Sequence, residues 1–247
     1  MLTDWELERY SRQITVSGFD FDGQQALADA RVLLVGCGGL GNPIALYLVA
    51  AGVGELHLVD DDTIELSNLP RQVVFGEADI GRSKVAVLAA ALRERNPQSC
   101  VIEHSQRFSD SNASALINDI SVVVDATDNR ATRALIDRET ARQGIPWIMG
   151  AAVQMVGQNM IFDGPRAHGC YHCLAPDSTR GSGSCAELGI LGPVVGAVAM
   201  TQAMDALKLL TGCGTLPWGI LRLRDFRTDE LHNLTLAKRE NCPVCGG

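Results

Sequence analysis

Two patterns of hydrophobic and polar positions alternate along the chain. Short, largely apolar runs occur at Val32–Val35, Glu55–Val59, Val101–His104, Val122–Asp125 and Pro146–Ala151. Stretches with helical spacing fall between or after them, at Pro43–Ala51, Lys84–Arg95, Ala113–Asp119 and Thr132–Gln143. A run that is apolar at successive positions suits a strand buried on both faces of a parallel sheet, with helices covering those faces. The predicted class is α/β, a Rossmann-like doubly wound sheet. Ahead of it, Trp5–Gln13 predicts a helix capped by Asp4, and Gln24–Ala30 a second, short one.

Beyond residue 152 the alternation lapses. Val153–Phe162 and Ile220–Asp225 predict later strands, expected to run antiparallel to the rest. Gly169–Gly189, rich in Gly, Ser, Asp and Cys, predicts a mobile loop. Pro193–Leu210 predicts a long apolar helix ended by Gly212. With no internal repeat or linker, residues 1–247 read as one domain. Its nucleotide-binding core covers about 25–152, and a second part, about 153–247, has a tail folded back onto the body.

Composition narrows the partners. Apolar residues are 46% of the 247 and charged residues 20%, as in ordinary globular proteins. A net charge of -8 with no dense Lys/Arg run argues against nucleic acid as the main partner. The polar, acidic start is not a secretory signal, and both apolar helices are interrupted, so neither reads as a membrane span. The expected location is cytoplasmic.

Gly36-Cys-Gly-Gly-Leu-Gly41 joins the first strand to the first core helix and matches G-x-G-x-x-G. Its first glycine permits a tight turn, its second lets phosphate approach the backbone, and its third lets helix and strand pack closely. The helix N-terminus then offers free N–H groups to an anion. Asp60 ends the next strand 24 residues after Gly36, where a carboxylate can accept bonds from ribose hydroxyls. NAD is the default ligand of such a unit. Three downstream residues favour ATP with Mg²⁺. Arg71, in Asn68-Leu-Pro-Arg-Gln72, and Lys84 supply cations for a triphosphate, and Asp128 lies at the C-terminal end of a later strand, where it could hold the metal.

Two Cys-x-x-Cys pairs, Cys170/Cys173 and Cys242/Cys245, lie 68 residues apart. In a reducing compartment, four such thiolates suit tetrahedral Zn²⁺, which would tie the tail to the body. Cys185, in Gly181-Ser-Gly-Ser-Cys-Ala, is either an incidental surface thiol or a candidate for covalent or exchange chemistry.

Taken in order, Arg9-Tyr-Ser-Arg-Gln13, Gly36-x-Gly-Gly-Leu-Gly41, Asp60-x-Asp62, Asn68-x-x-Arg-Gln72, Lys84, Thr127-Asp-Asn129 and the two cysteine pairs resemble the ThiF/MoeB/HesA adenylyltransferases, bacterial relatives of ubiquitin-activating enzymes. The resemblance implies ATP-dependent adenylation of the Gly-Gly carboxylate of a small ubiquitin-like sulfur-carrier protein, with release of pyrophosphate. A separate sulfur donor, a cysteine desulfurase or rhodanese-like protein, would then supply the thiocarboxylate sulfur. It also implies roles for single residues. Gly36, Gly38, Gly39 and Gly41 would line the nucleotide, with Asp60 on the ribose and Asp62 nearby. Asn68, Arg71, Gln72 and Lys84 would surround the phosphates, with Asn129 beside Asp128. Arg12 would be an arginine finger donated across a homodimer, and Cys185 the loop cysteine of sulfur transfer. Pro70 departs from the polar residue usual in its motif, and Cys37 from an aliphatic one. The Asp22-Gly-Gln motif, the Cys-Tyr-x-Cys spacing and the Cys-Pro-Val-Cys-Gly-Gly tail resemble the thiamine branch slightly more than the molybdopterin branch. An NAD-dependent oxidoreductase would leave Arg71, Lys84, Asp128 and the four cysteines unused. A non-catalytic zinc-stapled scaffold would use the four cysteines but not need Arg12, Arg71, Lys84 or Asp128, all of which are present.

Overall fold

Val32, Leu33, Leu34 and Val35 are each no more than 2% exposed, because helices cover both faces of the strand they form. In the computed structural model, which describes residues 2–176 and 188–246, that strand is β1 (Arg31–Val35), near the middle of an eight-stranded sheet. Four strands run parallel with it: β2 (Glu55–Val59), β3 (Cys100–His104), β4 (Val122–Asp125) and β5 (Trp147–Val153). β6 (Val156–Phe162), β7 (Ile220–Asp225) and β8 (Glu230–Thr235) continue the sheet antiparallel, giving the order β3-β2-β1-β4-β5-β6-β7-β8.

One face packs on α3 (Asp20–Asp29), α4 (Gly41–Ala51), α5 (Lys84–Arg95) and the 20-residue α9 (Gly192–Thr211), through Val32, Leu34, Leu56 and Leu58. The other packs on α6 (Ala113–Ile117) and α7 (Arg130–Gln143), through Leu33, Val35, Val123 and Trp147. Among described helices, α9 is the one long and apolar enough to cross a membrane by length and composition. It packs on β5, β6, α3 and α4, and buries Gln202 and Asp205 beside its apolar side, as a core helix does.

Several local expectations change. The N-terminal helix is two short helices, α1 (Asp4–Arg9) and α2 (Ser11–Ile14), and Thr3, not Asp4, caps the first through a reciprocal Thr3–Glu6 capping box. A turn at Gln154–Met155, with Gln154 at φ +53°, separates β5 from β6, where a strand was expected to start at Val153. Cys170–Leu174 is not loose loop: α8 (Tyr171–Leu174) is a helical turn, and both Tyr171 and Cys173 are buried. β8 was not foreseen at all.

Candidate active site

The topology puts a cleft where the strand order reverses, beyond the C-terminal ends of β1 and β4. Open α/β sheets bind ligands there. The cleft holds about 520 Å³. Gly36, at φ +98°, turns the chain out of β1 so tightly that a Cβ would lie 2.7 Å from the Ala126 carbonyl oxygen. Gly39 lets Val195 of α9 close over the turn. Gly41 starts α4 beneath it, where a Cβ would drive into the Gly36 carbonyl oxygen. Gly41→Ala is therefore expected to cost at least about 2 kcal/mol, because both clashing groups are backbone. A urea melt at unchanged m-value measures this. The buried Asn42 locks the turn from inside, donating to the Cys37 carbonyl at 2.8 Å and accepting from the Val74 N–H at 3.1 Å.

The turn keeps its donors. The N–H groups of Gly38, Gly39, Leu40 and Gly41 meet no protein acceptor among the described residues, as expected of a helix start. Asp60 receives the Cys37 N–H at 2.7 Å and the Asp62 N–H at 2.8 Å, which fixes its carboxylate beside them. Burial raises the Asp60 carboxyl above its ordinary range, against the pull of those two N–H groups and of Lys84. Lys84 opens α5 and is buried, with its ammonium 2.7 Å from the exposed Asp62 carboxylate. Asn68 is buried and accepts the Glu65 N–H at 3.2 Å. Arg71 donates to the Ser67 carbonyl at 2.9 Å. Gln72 is buried with its Oε1 unpartnered among the described residues, an acceptor awaiting a donor. Pro70 is exposed, and the turn closes around it through the N–H groups of Leu69, Arg71 and Gln72.

On the β4 side, the fully buried Asp125 accepts from the Thr127 N–H at 2.9 Å, from its hydroxyl at 2.6 Å, and from Arg133 Nε at 3.0 Å. Burial pushes the Asp125 carboxyl up, against the opposing pull of Arg133 and Thr127. Asp128 follows on the lip of the cleft and is exposed. Asn129 is the N-cap of α7, its Oδ1 accepting the Thr132 N–H at 2.8 Å, so it holds the helix as well as facing the cleft. The expectations did not include Asp61, Glu65, Arg107 or Arg133, which also line the cleft. No motif marks them; the sheet brings them in.

Five carboxylates, Asp60, Asp61, Asp62, Glu65 and Asp128, thus share the cleft with Arg71, Lys84, Arg107 and Arg133. Lys84 is paired with Asp62, and Arg133 is committed to Asp125. A polyphosphate would enter against this balance unless a divalent cation came with it.

Arg12 does not line this cleft. It sits on α2 beside Gln13, whose amide donates to the Ala51 carbonyl at 2.7 Å, at the C-terminal end of α4. The glycine turn is at the other end, about 16 Å away at 1.5 Å per helical residue. Cys185 lies outside the described residues.

The four remaining expected ligands do meet. The sulfurs of Cys170 and Cys242 lie 3.4 Å apart, those of Cys173 and Cys245 3.5 Å, and those of Cys170 and Cys173 3.9 Å. Tetrahedral zinc with sulfur at about 2.3 Å requires sulfurs about 3.8 Å apart. The backbone N–H of Arg239 also points at the Cys173 sulfur, 3.4 Å away, as a thiolate would favour. Burial pushes the Cys245 thiol up to about 12, and Cys170 far above its usual range. For Cys242, burial is outweighed by the N–H groups of Cys245 and Val244, which draw it down to about 6.

The chain was compared with known proteins. It is 43% identical over 246 residues to the sulfur carrier protein ThiS adenylyltransferase of Escherichia coli strain K12, covering 100% of this chain and 98% of that one. It is 39% identical over 245 residues to the molybdopterin-synthase adenylyltransferase of the same organism, covering 99% and 98%. The solved structure of Escherichia coli MccB with AMPCPP and MccA superposes with a TM-score of 0.84 at 25% identity, over 96% of this chain and 74% of that one. The ThiF family model matches residues 10–244, and the chain belongs to the ThiF family.

Proposed function

We propose that the chain adenylates the C-terminal Gly-Gly carboxylate of a small sulfur-carrier protein, and that the carrier is the one serving thiamine biosynthesis. The observation that carries this reading is one cleft that brings together Asp60, the cations Arg71 and Lys84, the exposed Asp128 and the N–H groups of the glycine turn, which meet no protein acceptor among the described residues. The greater identity to the ThiS-directed relative, 43% against 39%, favours the thiamine carrier; the molybdopterin-synthase small subunit is the second reading.

A carboxylate is a poor electrophile because oxide is a poor leaving group. In the proposed reaction one carboxylate oxygen attacks the α-phosphorus of ATP, the α–β bridging oxygen leaves with pyrophosphate, and the carrier ends as an acyl-adenylate whose AMP can be displaced by sulfur. The protein needs no nucleophile of its own for this step. Its contribution is placement and charge. The turn's N–H groups and the amide N–H of Gln72 orient the phosphates. Arg71 and Lys84 offset their charge, Lys84 exchanging its bond to Asp62 for one to the nucleotide. Asp128 would hold Mg²⁺, which neutralises phosphate charge when bound. Arg12, out of reach of its own cleft, serves the cleft of a second copy in a homodimer. The four-cysteine site holds structural zinc. The half beyond residue 153 receives the carrier, a separate protein delivers sulfur, and the work is done in the reducing cytoplasm.

The test is ATP–pyrophosphate exchange with labelled pyrophosphate, Mg²⁺ and each candidate Gly-Gly carrier. Exchange should require a carrier and be fastest with the thiamine one; no exchange with any carrier would overturn the reading. Cys185→Ala should retain most of the exchange rate and alter, at most, the later formation of thiocarboxylate, followed by mass spectrometry of the carrier.

A further inference from the structure

Helix α9 carries Gln202 where its own pattern calls for an apolar residue. Val195, Val198, Ala199 and Ala206 lie on the same face and are buried, and Gln202 is fully buried among them. An amide in such a stripe costs free energy unless its hydrogens are bonded. Here Nε2 donates to the carbonyl of Asp125, the last residue of β4, at 2.7 Å, and more weakly to the carbonyl of Ile148 in β5, at 3.4 Å. The Gln202 Oε1 has no partner among the described residues. It presses on Gly150, where a Cβ would fall 2.0 Å from it. The two carbonyls, which only an N–H can satisfy, therefore decide which way the amide faces. Asp125 is thus gripped from both faces of the sheet. Gln202 holds its carbonyl from the α9 side. From the other side Arg133 of α7 holds its carboxylate at 3.0 Å, and reaches the carbonyls of Thr127, at 2.6 Å, and Gly150, at 3.2 Å. Asp128 projects from the loop that starts here. Two turns before Gln202, on the same face of α9, Val195 sits against the glycine turn, where a Cβ on Gly39 would lie 2.9 Å from it. Helical rise fixes the spacing between these two contacts at about 10 Å.

We infer that Gln202 is a positioning residue, through which α9 acts as a spacer holding the loop that bears Asp128 in register with the glycine turn. Gln202 does not itself line the cleft. Without its amide the Asp125 and Ile148 carbonyls lose a donor, and the end of β4 relaxes while Val195 keeps the turn in place. The functional half of this inference rests on Asp128 holding Mg²⁺ as proposed above; the structural half does not.

In the wild-type protein without nucleotide, the side-chain amide protons of Gln202 should exchange with solvent at least about a hundredfold more slowly than those of surface glutamines. Exchange as fast as theirs overturns the link. Gln202→Met, similar in shape with no hydrogen to donate, tests the consequence. Its backbone amide NMR signals at Thr127 and Asp128 should shift, while those of Asp60 and Lys84 hold. Its affinity for ATP without metal should stay within about twofold of the wild type, and the Mg²⁺ concentration for half-maximal ATP–pyrophosphate exchange should rise by about threefold or more. A merely structural role would lower the melting temperature and leave that Mg²⁺ requirement where it was. Unshifted signals at Thr127 and Asp128 overturn the structural half. Shifted signals with an unmoved Mg²⁺ requirement, or an equal loss of affinity for ATP, overturn the functional half. Should Gln202→Met fail to fold, Gln202→Asn, which draws the amide back by one methylene, carries the same expectations. If the wild type shows no Mg²⁺-dependent reaction, the assignment of Asp128 fails, and the Gln202 side-chain amide with the Thr127 and Asp128 signals still decides the structural half.

Discussion

Asp128→Ala is expected to abolish carrier-dependent ATP–pyrophosphate exchange, lowering the rate by about a thousandfold or more. The size follows from how the cleft is charged. Asp60 is committed to two backbone N–H groups, and Asp61 and Asp62 follow β2, across β1 from the β4 loop that carries Asp128, so none of them stands where the lost carboxylate stood. Asp125, three residues earlier, is buried and turned away to Thr127 and Arg133. Removing Asp128 should cost little stability, because the side chain is exposed and surface substitutions of this kind change stability by less than about 0.5 kcal/mol. The variant should melt like the wild type and fail only at turnover. Asp128→Asn, equal in size, should fail comparably. Retention of more than about a tenth of the wild-type rate by either variant would show that the carboxylate is not needed.

The second large effect concerns the metal. Cys173→Ser is expected to release zinc and lower the melting temperature by about 8–16 °C. Cys170 and Cys242 are 72 residues apart in sequence, and a cross-link closing a loop of that length restrains the unfolded chain by about 4 kcal/mol. For a domain of this size each kcal/mol is worth about 2–4 °C. A bound metal would also relieve a conflict, since four thiols crowded in one cluster cannot all ionise without a cation among them. Zinc released on thiol modification, read with a chromogenic chelator, should be close to one ion per chain in the wild type. Absence of zinc there, or an unchanged melt for the variant, would refute a structural site.

Much of this was legible in the sequence where one physical constraint dominates. Val32–Val35 and Val122–Asp125 could only be central strands, because nothing else buries such runs on both sides. The glycine turn and Asp60 keep fixed spacing because backbone geometry sets it. The cysteine pairs declared a tetrahedral site because that coordination needs two short spacings and tolerates any distance between them. What stayed hidden was set by tertiary context. β8 is exposed on all six residues, so Glu230–Thr235 shows no buried face to read, and only its pairing with β7 makes it a strand. The helix expected over Trp5–Gln13 breaks at Tyr10, where the side chain turns inward and its hydroxyl accepts from Asn96 at 2.9 Å. Arg133 carries no motif, and its importance follows from three acceptors drawn from separate parts of the chain. Lys84 was read as a free cation, and its resting partner, Asp62, becomes visible only when α5 is laid against the end of β2.

The four-cysteine cluster also changes what kind of object the chain is. A polypeptide is topologically a line, and one cut makes two pieces. With zinc bolted between residues 170–173 and 242–245, this one would become a ring with tails. A protease that severs the exposed strand Glu230–Thr235 would open the ring without dividing the molecule. Both fragments would stay fastened by sulfur and metal, and a denaturing gel and a sizing column would give different answers about whether the protein is intact.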